Sequence, residues 1–295
     1  MVRLVSADRL TVVVNTGDDT VLHGLYICPD LDTVCYTLSG RNDEERGWGL
    51  AGETWQAMES MASLGGDAWF RLGDRDLGTH LFRTQRLAEG ASLTEVTAGL
   101  VQAMGVPARV LPMSDDPVRT MVRLAEDDVE VAFQEYFVRL RHQVPVSAVR
   151  FDGAARARPA PGVLRALDEA EAIVICPSNP VVSIGPLLAV PGIEEALSRR
   201  RSQAVAVSPI VAGAAIKGPA DRMLTELGEE ATVVGVARRY RHLAATLVVD
   251  VADAHLAGRV EELGMRCVVT DTVMRSVEDA AALSTVALEA VRDGT

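Results

Sequence analysis

Aromatic residues are scarce in this chain, and basic residues are fewer than acidic ones. Aromatics make up 4% of the 295 residues, so the core must be built mainly from valine, leucine, alanine and isoleucine. The formal net charge is −12. Sequence-blind binding of nucleic acid requires a basic face that releases counterions from the phosphates. We therefore expect no nucleic-acid partner, although a few local donors or a cation could still hold an anionic small molecule.

Long apolar runs and paired cysteines are also absent. No run of eighteen apolar residues and no apolar signal core occur, so we expect a cytoplasmic protein with no membrane partner. None of the cysteines forms a Cys-x-x-Cys pair, and we expect all of them to be buried free thiols. They are Cys28, Cys35, Cys176 and Cys267. The five histidines are scattered, which disfavours a histidine-rich metal site.

Short β-branched runs alternate with helical stretches, and this pattern predicts a Rossmann-like, mostly parallel sheet flanked by helices. The predicted strands are Leu10–Asn15, Ala172–Cys176, Ala204–Val207, Ala245–Val251 and Arg266–Val269. The predicted helices are Thr54–Leu64, Leu93–Met104, Gly162–Ala170, Ala220–Leu227, Ala254–Leu263 and Val277–Val291. Continuous apolar runs such as these strands are typical of a sheet that is buried on both faces.

A smaller helical and hairpin lobe is predicted within residues 41–150 of a single domain that spans residues 1–295. Thr120–Leu124 and Val129–Val138 flank an acidic turn, which indicates an antiparallel hairpin. The proline-rich segment Arg156–Gly162 is a candidate linker between two halves.

Small polar residues follow the first predicted strand: Asn15, Thr16, Gly17, Asp18 and Asp19. Open α/β sheets bind their ligands at the carboxyl ends of parallel strands. The two adjacent carboxylates could hold a hard cation such as Mg²⁺, but the spacing alone favours a tight turn with solvated aspartates.

A second acidic pair, Asp30 and Asp32, lies close behind the first. In an extended segment the two side chains would point the same way; if a helix begins here, Asp30 could be its N-cap. Four carboxylates within fifteen residues need nearby cations or full solvation, because like charges raise one another's pKa.

Two polar segments could recognise a ligand from another side. The glycine-rich segment Arg41–Trp55 carries Trp48, which could pack on a planar ring, or the segment is a surface loop pinned by its tryptophans. Arg75 lies just before a predicted helix and could help to bind an anion, or Asp76 caps that helix beside a local Asp–Arg pair.

Two further loops follow predicted strands. The first carries Ser178 and Asn179 between two prolines that restrict its shape, which favours a ligand-binding role. The second begins at Ser208 and reaches Lys217 in a glycine-rich stretch. Lys217 could meet a phosphate, or it is a surface lysine.

Seven segments, read in order, resemble the CofD/FbiA family over nearly the whole chain. They are VVNTGDD, HGLYICPDLDTVCYTLSG, RGWGLAGETW, LGDRDLGTHLFRTQ, LPMSDDPVRT, PSNPVVSIGPLLAVPG and VSPIVAG. No single segment is decisive, but the ordered set is specific.

The resemblance implies a transferase of the 2-phospho-L-lactate transferase type in coenzyme F-420 biosynthesis. Such an enzyme moves a 2-phospholactyl or phosphoenolpyruvyl group from a guanosine diphosphate-type donor to the ribityl hydroxyl of the deazaflavin Fo, releases GMP and requires Mg²⁺. A homodimer is also implied. Transfer of this kind depends on placement and charge neutralisation, so we expect no covalent nucleophile.

The resemblance also suggests roles for particular residues. Asp18 and Asp19 are the catalytic candidates, and Asp19 and Asp30 are the candidate ligands of Mg²⁺. The candidate deazaflavin contacts are Asp32, Arg75, Thr33 and Trp48. The candidate donor contacts are Asn15, Thr16, Ser178, Asn179, Ser208 and Lys217.

The sequence departs from the family's pattern at its start. The family opens with a strand and a glycine-rich turn, GGxGGAK, which this sequence lacks; we expect a misplaced start or a truncated chain, an unpaired sheet edge and poor activity.

Three other functions are alternatives to the transferase. They are a non-catalytic sugar-nucleotide-binding regulator of the sister family, a truncated inactive homologue, and a dinucleotide-dependent oxidoreductase. The absence of any G-x-G-x-x-G motif counts against the last.

Overall fold

The computed structural model describes residues 1–292 as strands interleaved with helices. The strands are β1 (Thr11–Val14), β2 (Thr20–Leu22), β3 (Leu25–Ile27), β4 (Arg109–Pro112), β5 (Arg119–Leu124), β6 (Glu130–Ala132), β7 (Val146–Asp152), β8 (Ile173–Ile175), β9 (Ala204–Val207), β10 (Ile210–Val211), β11 (Ala214–Ala215), β12 (Thr246–Asp250) and β13 (Arg266–Thr270). The helices are α1 (Pro29–Leu38), α2 (Gln56–Ser63), α3 (Asp76–Ala88), α4 (Leu93–Met104), α5 (Val163–Glu169), α6 (Gly185–Ala189), α7 (Ile193–Arg199), α8 (Ala220–Glu226), α9 (Val233–Tyr240), α10 (Ala257–Glu261) and α11 (Val277–Arg292).

Two parallel sheets form the frame, and they confirm the predicted α/β class. The larger sheet has the order β13-β12-β9-β8, and the smaller one pairs β1 with β4. Every residue of β9 and β12 is buried, because helices cover both faces of these central strands. All five predicted strands are present. The predicted helix Ala254–Leu263 is only partly correct, since a 3₁₀ helix occupies Val251–Leu256 before α10 begins.

A third sheet is antiparallel, with the order β6-β5-β7. It confirms the predicted hairpin, but the second arm is shorter than predicted and ends at Ala132. The chain turns helical there, and this brings the rings of Phe133 and Phe137 into a stack at 5.4 Å. Aromatic packing therefore overrides strand propensity beyond Ala132.

The proline-rich segment Arg156–Gly162 is not a free linker. Ala157 and Ala160 are buried, and the backbone N–H of Ala160 donates to the carbonyl oxygen of Met113 at 3.0 Å. The segment therefore packs against the core. The division into one domain with a lobe at residues 41–150 stays a prediction.

A cavity of about 980 Å³ separates the two parallel sheets. β1 borders it on one side and β8 on the other. Among residues 1–292, β1 pairs only with β4 and β8 pairs only with β9, so each strand has an unpaired edge. One end of the cavity reaches Asn15, Asp30 and Ser178, three of the candidate site residues. The expected lack of the family's first strand and glycine-rich turn stays a prediction.

The cysteines are free thiols, but not all of them are buried as predicted. Cys28 and Cys35 are buried, whereas Cys267 is half-buried and Cys176 is exposed beside the loop that follows β8. Within the described part of the chain, no helix combines the length and apolarity needed to cross a bilayer.

Two helical glycines should respond in opposite ways to substitution by alanine. A Cβ on the buried Gly235 would lie 1.8 Å from the carbonyl oxygen of Glu230, so Gly235→Ala should destabilise the fold by about 1–3 kcal/mol. A Cβ on the exposed Gly258 would meet nothing within 4 Å, so Gly258→Ala should stabilise α10 by about 0.5–1 kcal/mol. Urea unfolding measures both, and a neutral Gly235→Ala would contradict the packing of α9.

Candidate active site

The loop after β1 folds back on itself and turns its acidic side chains inward. The backbone N–H of Gly17 donates to Asn15 Oδ1 at 2.7 Å, and that of Asp19 donates to the carbonyl oxygen of Thr16 at 3.3 Å. These bonds form a turn, as one reading of the sequence anticipated. The aspartates are not solvated, however, because Asp18 is 7% exposed and Asp19 is 2% exposed.

Burial raises the pKa of both carboxyls. The pKa of Asp18 is well above its usual range because of burial and then because of the negative charges of Asp30 and Asp19; Thr120 and Asn15 oppose the shift. Burial raises the pKa of Asp19 to about 8, although the Cys28 thiol donates to its Oδ2 at 3.1 Å. Without a cation, protonation is the least costly state for both groups at neutral pH.

Asp30 and Asp32 lie in the first turn of α1, so they do not share a face as they would in a strand. The helix begins at Pro29 with Cys28 as its N-cap, and the N-cap role considered for Asp30 is wrong. Asp30 turns towards the cavity, where its Oδ2 accepts from Asn15 Nδ2 at 2.9 Å. Asn15 thereby links Asp30 to the loop after β1.

Asp32 points to the opposite side and forms a buried ion pair with Arg83 of α3. Arg83 is 1% exposed, and it also contacts His80 Nδ1 and the carbonyl oxygen of Tyr26, each at 3.2 Å. His80 Nε2 lies 3.1 Å from Asp76 Oδ2. Asp32 is therefore already paired inside the protein, and its predicted contact with a deazaflavin stays a prediction.

Two clusters of acidic side chains could hold a metal ion, and their surroundings differ. Within residues 1–292, the cluster whose ligand atoms lie within 4.8 Å of one another is Asp32, Asp76 and His80. Arg83 already neutralises that cluster. Beside it, Asp18 Oδ1 and Asp19 Oδ1 are buried and have no hydrogen-bond partner. Asp32 Oδ2 also lacks a partner of good geometry, but the guanidinium of Arg83 would repel a second cation there, so the pair after β1 fits Mg²⁺ better.

The predicted ring-binding residues form a separate, more exposed group. Trp48 is 47% exposed, and its ring centroid lies 5.8 Å from that of Trp55. The guanidinium of Arg46 lies over both rings, at 5.4 and 5.3 Å. Arg75 N-caps α3, and its side chain donates to the carbonyl oxygen of Ala51 rather than to a neighbouring aspartate. The local Asp–Arg pair considered from the sequence is therefore absent there.

Thr33 does not belong with Trp48. It is exposed on α1 and borders the large cavity, as do Asn15, Asp30 and Ser178, whereas Trp48 does not. The structure thus groups Thr33 with the candidate donor residues. Its predicted role in deazaflavin binding stays a prediction.

Several candidate donor residues use their side chains locally. Asn179 Oδ1 accepts from the backbone N–H groups of Val181 and Val182, and the Ser208 hydroxyl bonds both backbone groups of Ile210. These two side chains shape their loops. Within residues 1–292, Lys217 forms no ion pair with a carboxylate, and its Nζ lies 3.4 Å from where a Cβ of Gly47 would be.

Two residues that the sequence reading did not select complete the site. Arg83 falls on the buried face of α3, three residues after His80, and this helical spacing was the available signal. Thr120 lies at the start of β5, and its backbone N–H donates to the carbonyl oxygen of Gly17 at 2.7 Å. Only the tertiary fold brings Thr120 beside the acidic loop.

Known proteins are similar to this chain over almost its whole length. A family model described as 2-phospho-L-lactate transferase CofD matches residues 2–287. A phosphoenolpyruvate transferase from Kitasatospora aureofaciens is 48% identical over 98% of this chain and 92% of its own length. Another, from Streptomyces griseus subsp. griseus, is 48% identical over 95% and 89%. A third, from Mycobacterium avium, is 46% identical over 82% and 73%.

Solved structures agree in fold. A crystal structure of a Bacillus halodurans protein matches with a TM-score of 0.60 and 18% identity, over 94% of this chain and 91% of that one. A second crystal structure, of a Bacillus halodurans member of the UPF0052 family, matches with a TM-score of 0.58. At this identity the likeness concerns the fold alone.

The buried acid pair predicts a distinct pH dependence of stability. Asp19 has a pKa of about 8 in the folded protein and near 3.8 in the unfolded chain, so the folded state retains a proton that the unfolded state has released. Linkage then lowers the stability of the metal-free protein as pH rises from about 4 to 8. Asp19→Asn should therefore melt increasingly higher than the wild type across this range. Exposed Glu262 provides the control, and a constant difference for Asp19→Asn, as for Glu262→Gln, would contradict burial of an acidic proton.

Loss of Arg83 should destabilise the protein strongly. Arg83→Met leaves the Asp32 carboxylate buried without its partner, which costs about 3–5 kcal/mol in comparable pairs. Arg165→Met removes an exposed pair with Glu169 and should cost less than about 1 kcal/mol. Urea unfolding measures both, and Asp32→Asn combined with Arg83→Met should recover part of the loss. Equal effects of the two single variants would contradict the buried pair.

Proposed function

The chain belongs to the 2-phospho-L-lactate transferase CofD family, and we propose that it transfers a phosphoenolpyruvyl group to the deazaflavin Fo. In this proposal the donor is a guanosine diphosphate ester, the terminal ribityl hydroxyl of Fo attacks the phosphorus that bears the acyl group, and GMP leaves. The curated relatives are named phosphoenolpyruvate transferases, and this favours the phosphoenolpyruvyl group over the 2-phospholactyl group.

The observation that carries the proposal is the group of buried carboxylates at the end of β1. Transfer of a phosphoryl-type group needs placement and charge neutralisation rather than a covalent intermediate. Asp18 and Asp19 each have a buried carboxylate oxygen without a partner of good geometry. Asn15, in the same loop, and Asp30 line one end of a cavity large enough for a nucleotide-sized molecule. An acidic site of this kind suits phosphate chemistry only when a cation is bound.

Asp18 and Asp19 would hold Mg²⁺ in this proposal. Their oxygens are hard donors, and burial protects them from competing water. The ion would neutralise negative charge on the donor phosphates. The charge of Asp30 acts on the same two carboxylates. One Asp30 oxygen, however, accepts a hydrogen bond from Asn15, and Asp30 faces the cavity.

Asp30 is therefore the carboxylate best placed to orient the attacking hydroxyl. Asn15 holds one of its oxygens, which leaves the other to accept the hydroxyl hydrogen bond. Covalent catalysis by Cys28 is disfavoured, because burial raises the pKa of its thiol well above the usual range. This agrees with the expectation that no covalent nucleophile is used.

The two substrates would approach from different sides. The cavity bordered by Thr33 and Ser178 suits the donor, and the exposed group of Trp48, Trp55 and Arg46 suits a planar ring. Lys217 lies at the loop that carries Trp48 and could meet an anionic group there. A homodimer and a cytoplasmic location stay predictions.

Turnover is the direct test. The chain should convert Fo in the presence of Mg²⁺ and the guanosine diphosphate donor carrying the enolpyruvyl group, with release of GMP and a product of the corresponding mass. The donors carrying the lactyl and glyceryl groups should react more slowly. Asp18→Asn and Asp19→Asn should each lower kcat at least about 100-fold, because charge neutralisation at the phosphorus depends on them.

Glu262→Gln is the matched control, since Glu262 is an exposed acid with no role in the site. It should retain wild-type turnover. Absence of product with all donors, together with unchanged Fo fluorescence and tight binding of a UDP-sugar, would move the assignment to a nucleotide-binding regulator.

A further inference from the structure

Thr120 is the point at which β5 meets the acidic loop. Its backbone N–H donates to the carbonyl oxygen of Gly17 at 2.7 Å, so the strand is tied to the loop that carries Asp18. Its side chain is 1% exposed. Thr120 is therefore held rigidly beside the carboxylates, although it lies about a hundred residues further along the chain.

Gly17 makes this approach possible. A Cβ on Gly17 would lie 2.7 Å from Thr120 Oγ1 and 2.9 Å from Pro186 Cβ. Any side chain at position 17 would push the hydroxyl away from the loop. The absence of that side chain leaves the Thr120 hydroxyl packed directly against the backbone that leads into Asp18.

The hydroxyl nevertheless has no well-aligned hydrogen bond. It lies close enough to the Asp18 carboxyl to lower the pKa of that group through a side-chain hydrogen bond, but Thr120 Oγ1 and Asp18 Oδ1 are both buried without a partner of good geometry. A buried hydroxyl whose hydrogen bond is poorly aligned contributes little to stability, whereas valine would fill nearly the same space without a buried polar atom. Packing alone therefore does not explain why a threonine, rather than a valine, lies at this position.

We propose that Thr120 is a positioning residue whose hydroxyl donates a well-aligned hydrogen bond to Asp18 when the site is occupied, and so fixes the orientation of that carboxylate. This inference rests on the proposed function, in which Asp18 acts as a charged group. A hydrogen bond to a charged acceptor is stronger than one between neutral groups, and this is where the hydroxyl becomes useful. Thr120 itself contacts neither substrate in this proposal.

The test compares Thr120→Val, which removes the hydroxyl, with Thr120→Ser, which keeps it. Without metal or substrates, Thr120→Val should melt about 2–4 °C above the wild type, because a buried hydroxyl with a poorly aligned hydrogen bond has been removed. With Mg²⁺, Fo and the enolpyruvyl donor, kcat of Thr120→Val should fall about 10- to 100-fold. KM for Fo should change little, and Thr120→Ser should stay within about threefold of wild-type kcat.

A higher melting temperature combined with a lower kcat is the signature of a positioning role, since a merely structural residue would lose both or neither. Wild-type kcat in Thr120→Val would overturn the proposal, as would equal loss in Thr120→Ser. If the wild type itself gives no product, the proposed function fails. The role of Thr120 is then tested by the rise in melting temperature that Mg²⁺ alone causes. A smaller Mg²⁺ shift in Thr120→Val than in Thr120→Ser supports the role of Thr120, and equal shifts overturn it.

Discussion

The burial of acidic groups at the end of β1 is the constraint on which the site depends. Each carboxylate is accommodated in a different way: Asp32 by the guanidinium of Arg83, Asp30 by the amide of Asn15, and Asp19 in part by the Cys28 thiol. The side-chain hydrogen bonds of Thr120 and Asn15 do not offset the burial of Asp18, whose Oδ1 has no partner of good geometry, so Asp18 needs either a proton or a cation. The fold thus stabilises each buried acid by a different means. Asp18, whose burial is offset least, lies where charged substrates would react.

The same constraint explains the packing of α1 against α3. The Asp32–Arg83 pair joins the two helices from inside, and Asp76 and His80 extend it along α3. Because Arg83 already supplies a positive charge, this cluster is suited to rigidity rather than to binding a second cation. A metal ion gains most where no such charge is present, which is the turn between β1 and β2. Two neighbouring acidic clusters can therefore serve different purposes.

Local signals made much of the fold predictable. α4 has its predicted bounds because Ser92 and Glu95 form a capping box and Gly105 takes a left-handed conformation after the last turn. β9 was equally clear, since its apolar run is buried on both faces. The site was predictable only in part. The acidic residues were evident in the sequence. Helical spacing places Arg83 on the buried face of α3 but does not reveal its partner Asp32, and no local pattern brings Thr120 to the acidic loop.

The cavity between β1 and β8 has a consequence for the behaviour of the protein at high concentration. Both bordering strands have an edge that pairs with no other strand of residues 1–292, and a strand edge of this kind is a template for any extended chain. Two such edges border the same cavity, so an extended segment of an unfolded neighbour could pair with both strands there. The feature that separates the sheets is therefore also the place where self-association into β-rich aggregates would begin.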